Sequence, residues 1–164
     1  MEIYILRHGI AEVRGTAGAD SGRRLTAAGK DKLRPVLARA RAAKTAPSLI
    51  LSSPYARAIE TAEIAAEELG YKGAILRTDA LLPSSSAQAV WRELRAHRDE
   101  AAILLAGHEP LLSETASYLL GASRVLVDMK KGAMARIDVE ASDREPSGVL
   151  QWLITPRLAS TGGG

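Results

Sequence analysis

Cysteine is absent from this chain of 164 residues. Its absence excludes disulfides, thiolate zinc sites and cysteine nucleophiles, and it permits a reducing compartment. Long apolar runs are missing too: nothing approaches the ~20 residues that a membrane span needs, so no membrane association is expected. The opening "MEIYILRHG" has no basic lead segment and no apolar run ahead of a cleavage site, and it reads as a first strand rather than a signal peptide. Cytoplasm is the default expectation. Strong charge imbalance is also lacking. With 22 Lys+Arg against 19 Asp+Glu the net charge is +3, and the basic residues form no aromatic-interleaved stripe, so nucleic acid is not an expected partner. Repeats, low-complexity blocks and domain linkers are likewise missing. A content of 46% hydrophobic and 25% charged residues suits one folded domain, expected over 1–158, with 159–164 ("ASTGGG") as a flexible tail.

Four short runs rich in Ile and Leu are apolar on both faces, as buried parallel strands require: "EIYILR" (2–7), "SLILS" (48–52), "AILR" (74–77) and "AAILLA" (101–106). Helical patterns lie between them, at 27–44, 53–70, 85–97 and 110–120. In "SPYARAIETAEIAAEELG" Ser53 can cap, Pro54 suits the first turn, and Gly70 stops the helix. Ala58, Ile59, Ala62, Ala65, Ala66 and Leu69 form its apolar stripe. Pro35 is expected to kink or interrupt the helix at 27–44. This alternation predicts an α/β fold, a three-layer α/β/α sandwich around a mostly parallel sheet. In the last third "RVLVDM" (124–129), "MARIDV" (134–139) and "VLQWLI" (149–154) read as strands without intervening helices. The last two are separated by the turn-forming "EASDREPSG", which adds antiparallel strands and makes the sheet mixed.

Ligands of open α/β sheets bind beyond the carboxyl ends of the strands. Three such ends carry related residues: Arg7 and His8 follow the first strand, Arg57 opens the helix after the second, and His108 follows "ILLAG". Arginine forks pair bidentately with phosphoryl oxygens, and helix N-termini add N–H donors. An imidazole with a free ring nitrogen can attack phosphorus, while a second one stabilises charge on the transferring oxygens. Arg7 and Arg57 suit the grip, His8 and His108 the chemistry, and Gly9 and Gly107 would let the backbone come close to phosphate. Taken singly, each piece is ordinary; the joint placement carries the argument.

Together, "RHG" (7–9), "SSPYARAIETA" (52–62) and "GHEP" (107–110) resemble the three signatures of the histidine phosphatase superfamily, in matching order and spacing. The short length and "DSGRRLTAAG" (20–29) extend the resemblance to the small SixA-type phosphohistidine phosphatases over nearly the entire chain. It implies a phosphoglycerate mutase-like fold without a cap subdomain. It also implies a metal-independent phosphatase needing no cofactor, in which His8 is transiently phosphorylated and Arg7, Arg57 and His108 complete the phosphate pocket. Arg23 becomes a candidate for substrate phosphate or protein contacts. Glu60 stands where relatives often carry Gln and is expected to face solvent, the alternative being that it orients Arg57.

Larger relatives supply an acid between the second and third motifs. Asp79 is the candidate here, with Asp20 and Glu109 as rivals. A weak acid suits N-phosphorylated substrates, since a protonated imidazole leaves as a neutral ring whereas an alkoxide needs its proton during bond breaking. The residues between Gly70 and 101 are claimed by one strand and one helix, which leaves no room for a lid and admits a protein side chain to the pocket. Lys130 and Lys131 read as exposed turn lysines that reach phosphate only if their loop folds inward. Trp91 and Trp152 read as core, and His97 as a helix-end residue outside the site. A metal site is disfavoured, because three histidines without His-x-x-x-His spacing stand beside two arginines that repel a cation. The expected activity is removal of phosphate from a phosphohistidine-bearing protein such as a phosphotransfer domain. A phosphoester phosphatase on the same scaffold and a noncatalytic phosphoprotein-binding module are the alternatives.

Overall fold

A computed structural model describes residues 1–13, 18–122, 125–140 and 145–161. In chain order the elements are β1 (Glu2–Arg7), α1 (Ala27–Ala42), β2 (Leu49–Ser52), α2 (Ala56–Leu69), β3 (Ile75–Arg77), α3 (Ala87–Ala96), β4 (Ala102–Gly107), α4 (Leu111–Leu119), β5 (Met134–Asp138), β6 (Val149–Ile154) and α5 (Pro156–Ser160). Single 3-10 turns cover Asp20–Gly22 and Asp79–Leu81. The strands form one sheet in the order β3-β2-β4-β1-β5-β6. β1 to β4 run parallel, while β5 and β6 add antiparallel partners, so the sheet is mixed as expected.

Both faces of the sheet are covered. Ile3 and Ile5 point into one core with Val90, Trp91 and Leu94 of α3 and Leu112 and Leu119 of α4. Tyr4 and Leu6, the alternate residues of β1, point into the other with Leu33 and Leu37 of α1 and Ala62 and Ala65 of α2. A central strand must therefore be apolar at every position, which is why it was legible as an unbroken run. Trp91 is core, and Trp152 packs its ring 6.2 Å from that of Tyr4.

Local chemistry sets the helix ends. The Thr26 side chain accepts from Gly29 N at the start of α1, Ser86 accepts from Ala89 N at the start of α3, and α2 stops at Gly70 with φ 73°. Gly29 has a second role. A Cβ there would lie 2.1 Å from the Ile10 carbonyl oxygen, so a glycine is required where α1 docks against the segment after β1.

Three expectations change. Of the kink or break expected at Pro35, the break does not occur: α1 continues through it from Ala27 to Ala42. "RVLVDM" forms no strand over its described residues 125–129, and Leu126 is 98% exposed. Both edges of β1 are already taken by β4 and β5, so the sheet has no place for it there; Arg124 lies outside the described residues. Near the C-terminus, α5 crosses the boundary expected at 158, and Ala159 is buried with the α1–α2 core. Residues 162–164 of the expected tail, and 141–144 of the turn before β6, lie outside the described residues.

The connections fix where a crevice opens. From β1 the chain crosses by α1 toward β2, whereas from its neighbour β4 it crosses by α4 on the opposite face toward β5. Adjacent strands whose connections depart in opposite directions leave a cleft at their carboxyl ends.

Candidate active site

Arg7 and Gly107 are register partners at the ends of β1 and β4, so His8 and His108 emerge side by side. Their ring centroids are 5.2 Å apart. β2 flanks β4, and Ser53 N donates to the Ala106 carbonyl, which brings the start of α2 and Arg57 to the same place. The cleft is a cavity of about 250 Å³. Four cations line it, Arg7, Arg23, Arg57 and Lys131, against two carboxylates, Asp20 and Glu109. The imidazoles of His8 and His108 complete the polar wall, with Pro83 and Ala11 as apolar patches.

His8 is 7% exposed. Its Nδ1 lies 2.7 Å from the Gly9 carbonyl oxygen, which can only accept, so the proton sits on Nδ1 and Nε2 keeps its lone pair. Arg57 Nε donates to that Nε2 at 3.4 Å. The rest of the Arg57 fork is held by Asp20: Nη1 donates to the backbone oxygen at 2.8 Å and Nη2 to Oδ2 at 3.2 Å. The guanidinium also lies 4.9 Å from the centroid of the Tyr55 ring. Arg7 Nη1 donates to the Met129 carbonyl at 2.6 Å, whereas Arg7 Nε and His108 Nδ1 are buried with no partner among the described residues.

Burial pushes the His8 pKa down to about 4, and the positive charges of Arg57 and Arg7 add to the effect. Burial likewise takes His108 to about 3, helped by His8 and Arg57. Both rings are neutral at neutral pH, which is the form a nitrogen nucleophile needs. The depressed values make the fold acid-sensitive: the unfolded chain takes up these protons below pH 6.5 and the folded chain does not. Each histidine therefore leaves stability untouched above pH 6.5 and removes about 1.4 kcal/mol per pH unit as pH falls toward its folded pKa. Nitrogen-15 NMR of the imidazoles is expected to show His8 as the neutral Nδ1–H tautomer down to pH 5, half-titrated near 4. A midpoint near 6.5 would contradict this electrostatic account.

The sequence-derived set divides. Arg7, His8, Arg57 and His108 converge, and Arg23 joins them, its Nε donating to Asp20 Oδ1 at 2.8 Å. Lys131 lines the cavity while Lys130 pairs outward with Asp128, because Gly132, at φ 76°, donates to the carbonyls of Arg7 and His8 and turns the loop inward. Asp79 is not part of the cavity; it lies exposed after β3, the sheet edge, which β2 and β4 separate from β1. The carboxylates actually at the site are Asp20 and Glu109. Gly9 is not among the residues lining the cavity; a Cβ there would meet the Gly29 carbonyl oxygen at 3.0 Å, and its N donates to Thr61 Oγ1. Ser53 does not cap α2, which begins at Ala56; its Oγ lies 2.8 Å from His108 Nε2. Glu60 neither faces solvent nor touches Arg57: it is buried, and Arg24 Nε and Leu25 N donate to it, each at 2.7 Å. His97 sits at the end of α3, against Glu93 and away from the cleft. Among the described residues, no three His, Cys, Asp or Glu side chains cluster as a metal site would require.

Known proteins share this fold. Residues 3–82 match the model of the histidine phosphatase superfamily (branch 1). An uncharacterized protein of Picosynechococcus sp. strain PCC 7002 is 37% identical over 120 residues, 73% of each chain. The structure of the protein histidine phosphatase SixA complexed with tungstate superposes with a TM-score of 0.87 at 26% identity, over 96% of this chain and 98% of that one. The alpha-ribazole phosphatase from Shigella flexneri shares the fold, with a TM-score of 0.72 at 17% identity over 95% and 97% of the two chains. With a family match spanning β1 to the turn after β3, and a SixA-like shape from end to end, the chain belongs to the histidine phosphatase superfamily.

Proposed function

We propose that this phosphatase removes phosphate from phosphohistidine on a partner protein, through a covalent phospho-His8 intermediate and without a metal ion or cofactor. The observation that carries the reading is a neutral imidazole, its lone pair fixed on Nε2, facing a cavity whose four cations outnumber its two carboxylates. That surplus of two positive charges matches a dianionic phosphoryl group. Arg57 Nε and Nη2 and the unpaired Arg7 Nε are donors for its oxygens, as is His108 through its ring N–H.

In the first step His8 Nε2 attacks phosphorus, a new N–P bond forms, and the bond to the partner's imidazole breaks. The electron pair leaves with that imidazole, which departs neutral because its other ring nitrogen carries a proton. In the second step water attacks phospho-His8, phosphate leaves the site, and His8 recovers its lone pair while the water's proton passes to solvent. An alkoxide leaving group would need a carboxylic acid in place. Both cavity carboxylates are engaged as acceptors, Asp20 by Arg57 and Arg23, Glu109 by the backbone N and hydroxyl of Ser113. This favours the N–P bond over the phosphoester. Between α2 and β4 the chain forms β3, a 3-10 turn and α3, with no inserted lid, so a side chain on a protein surface can enter.

The test compares release of phosphate, in chelator, from a phosphohistidine-bearing protein and from a simple aryl phosphate. Fast turnover of the protein with slow aryl hydrolysis is the expected result. The reverse preference would move the substrate to phosphoesters, and no turnover of either would replace the enzyme with a phosphoprotein-binding module.

A further inference from the structure

The buried carboxylate of Glu60 has no part in the chemistry proposed above. It lies one helical turn beyond Arg57 on α2 and is 7% exposed. Burial alone would raise its pKa, but the Leu25 N–H and the Arg24 guanidinium outweigh that, with Lys30 Nζ 3.9 Å away, and hold it below the usual carboxylate range. Its two oxygens are divided between neighbouring residues of one segment, Oε1 accepting from Arg24 Nε and Oε2 from Leu25 N.

That segment follows directly on Asp20 and Arg23, which line the cavity. Leu25 bridges to Ala11, Glu12 N donates to the Arg24 carbonyl, and Thr26 N donates to the Ile10 carbonyl, which ties it to the loop after His8. Just before it come Asp20, which holds the Arg57 fork, and Arg23, whose Nη1 donates to the Glu12 carbonyl. α2 thus grips the 20–25 segment at two points of opposite polarity: a guanidinium meets an acceptor at Asp20, and a carboxylate meets donors at Arg24 and Leu25.

These points differ in what an arriving phosphoryl group does to them. Arg57 must turn donors from Asp20 and His8 to the phosphoryl oxygens, so its grip on the segment loosens when substrate binds. Glu60 contacts nothing the substrate displaces. We propose that Glu60 is a positioning residue, which keeps Asp20 and Arg23 in register over the cavity while Arg57 exchanges its partners for the phosphoryl group. The inference rests on the phosphate-cavity reading and is independent of which phosphorylated group the enzyme accepts.

The test uses the full chain and inorganic phosphate as the probe, with turnover as a second readout. Glu60→Ala is expected to weaken phosphate binding and raise KM by roughly tenfold, with a much smaller change in kcat, because the nucleophile and its tautomer are untouched. Glu60→Gln keeps an acceptor for Leu25 N and is expected to recover most of the loss, and the downfield Leu25 amide proton should move upfield in the alanine variant and stay near its position in the glutamine one. Should Glu60→Ala fail to fold, Glu60→Gln and Arg24→Ala, the latter truncating a largely exposed side chain, carry the same comparison. Wild-type phosphate affinity and KM in a folded Glu60→Ala, or in both substitutes, would overturn the proposal. Because phosphate binding is measured directly, a failed substrate assignment cannot be mistaken for a failed role of Glu60.

Discussion

His8→Ala is expected to abolish turnover, with kcat falling on the order of 10⁴–10⁶-fold, as when the nucleophile of a covalent mechanism is removed. On phosphohistidine the measured ratio will be smaller, because the N–P bond hydrolyses unaided and sets a floor under the variant's rate. An aryl phosphate, stable on its own, exposes the full loss. The fold should survive: the backbone around His8 is held by His8 N on the Gly107 carbonyl and by Gly132 N on the His8 carbonyl, neither of which uses the side chain. A thermal melt separates the effects, and rapid-quench mass spectrometry should find one added phosphoryl group on the wild type and none on the variant. Near wild-type turnover in a folded His8→Ala would end the covalent reading.

The second large effect belongs to Arg57. Its side chain is 5% exposed and every donor group is engaged, so alanine removes the inner-wall cation that faces both Asp20 and His8. Losing a desolvated donor to transferring oxygens costs about 3–4 kcal/mol, and kcat/KM should fall roughly 10²–10³-fold. Arg57→Lys should recover only part, because an ammonium cannot reproduce the fork that spans Asp20 and Nε2. Stability should drop by less than the ~3–5 kcal/mol of a fully buried pair, since Asp20 is partly exposed and keeps Arg23. The same variant has a spectroscopic consequence. With the Arg57 charge gone, burial still lowers the His8 pKa but with less help, so the His8 midpoint should rise above its wild-type value near 4. An unmoved midpoint together with wild-type kcat/KM would remove Arg57 from the site.

β1, β2 and β4 were legible because strands covered on both faces must be apolar; β3 carries the same pattern although it is the sheet edge, where Leu76 is 42% exposed. The strand-end rule found Arg7, His8, Arg57 and His108 because β1, β2 and β4 are contiguous in the sheet. The rule failed at Asp79 for the same reason: β3 also ends in a loop, but at the sheet edge, and strand position is not written in local sequence. "RVLVDM" looked like a strand because hydrophobic alternation does not reveal whether a sheet edge is free to receive it. At Ser53 a local capping rule points to a helix N-terminus, whereas its Oγ accepts from Tyr55 N ahead of α2 and lies 2.8 Å from Nε2 of His108, 55 residues away. Glu60 departs from its sequence expectation for a related reason. It lies off the apolar stripe of α2, and a carboxylate there reads as solvated unless the donors of a distant segment are known to be waiting. Long-range pairing was out of reach; local periodicity was not.

The strand order also governs when the molecule becomes able to react. β1 is the first strand made, yet its neighbours are β4 and β5, from the second half of the chain, and β2 reaches it only across β4. Pairings of such wide sequence separation form slowly and cannot form before their partners exist. A nascent chain emerging from a ribosome therefore carries His8 early, without the imidazole, loop or strand that confine it. The cavity therefore waits on β4 and on the loop that carries Met129, Lys131 and Gly132, and a chain cut short ahead of them is expected to lack it.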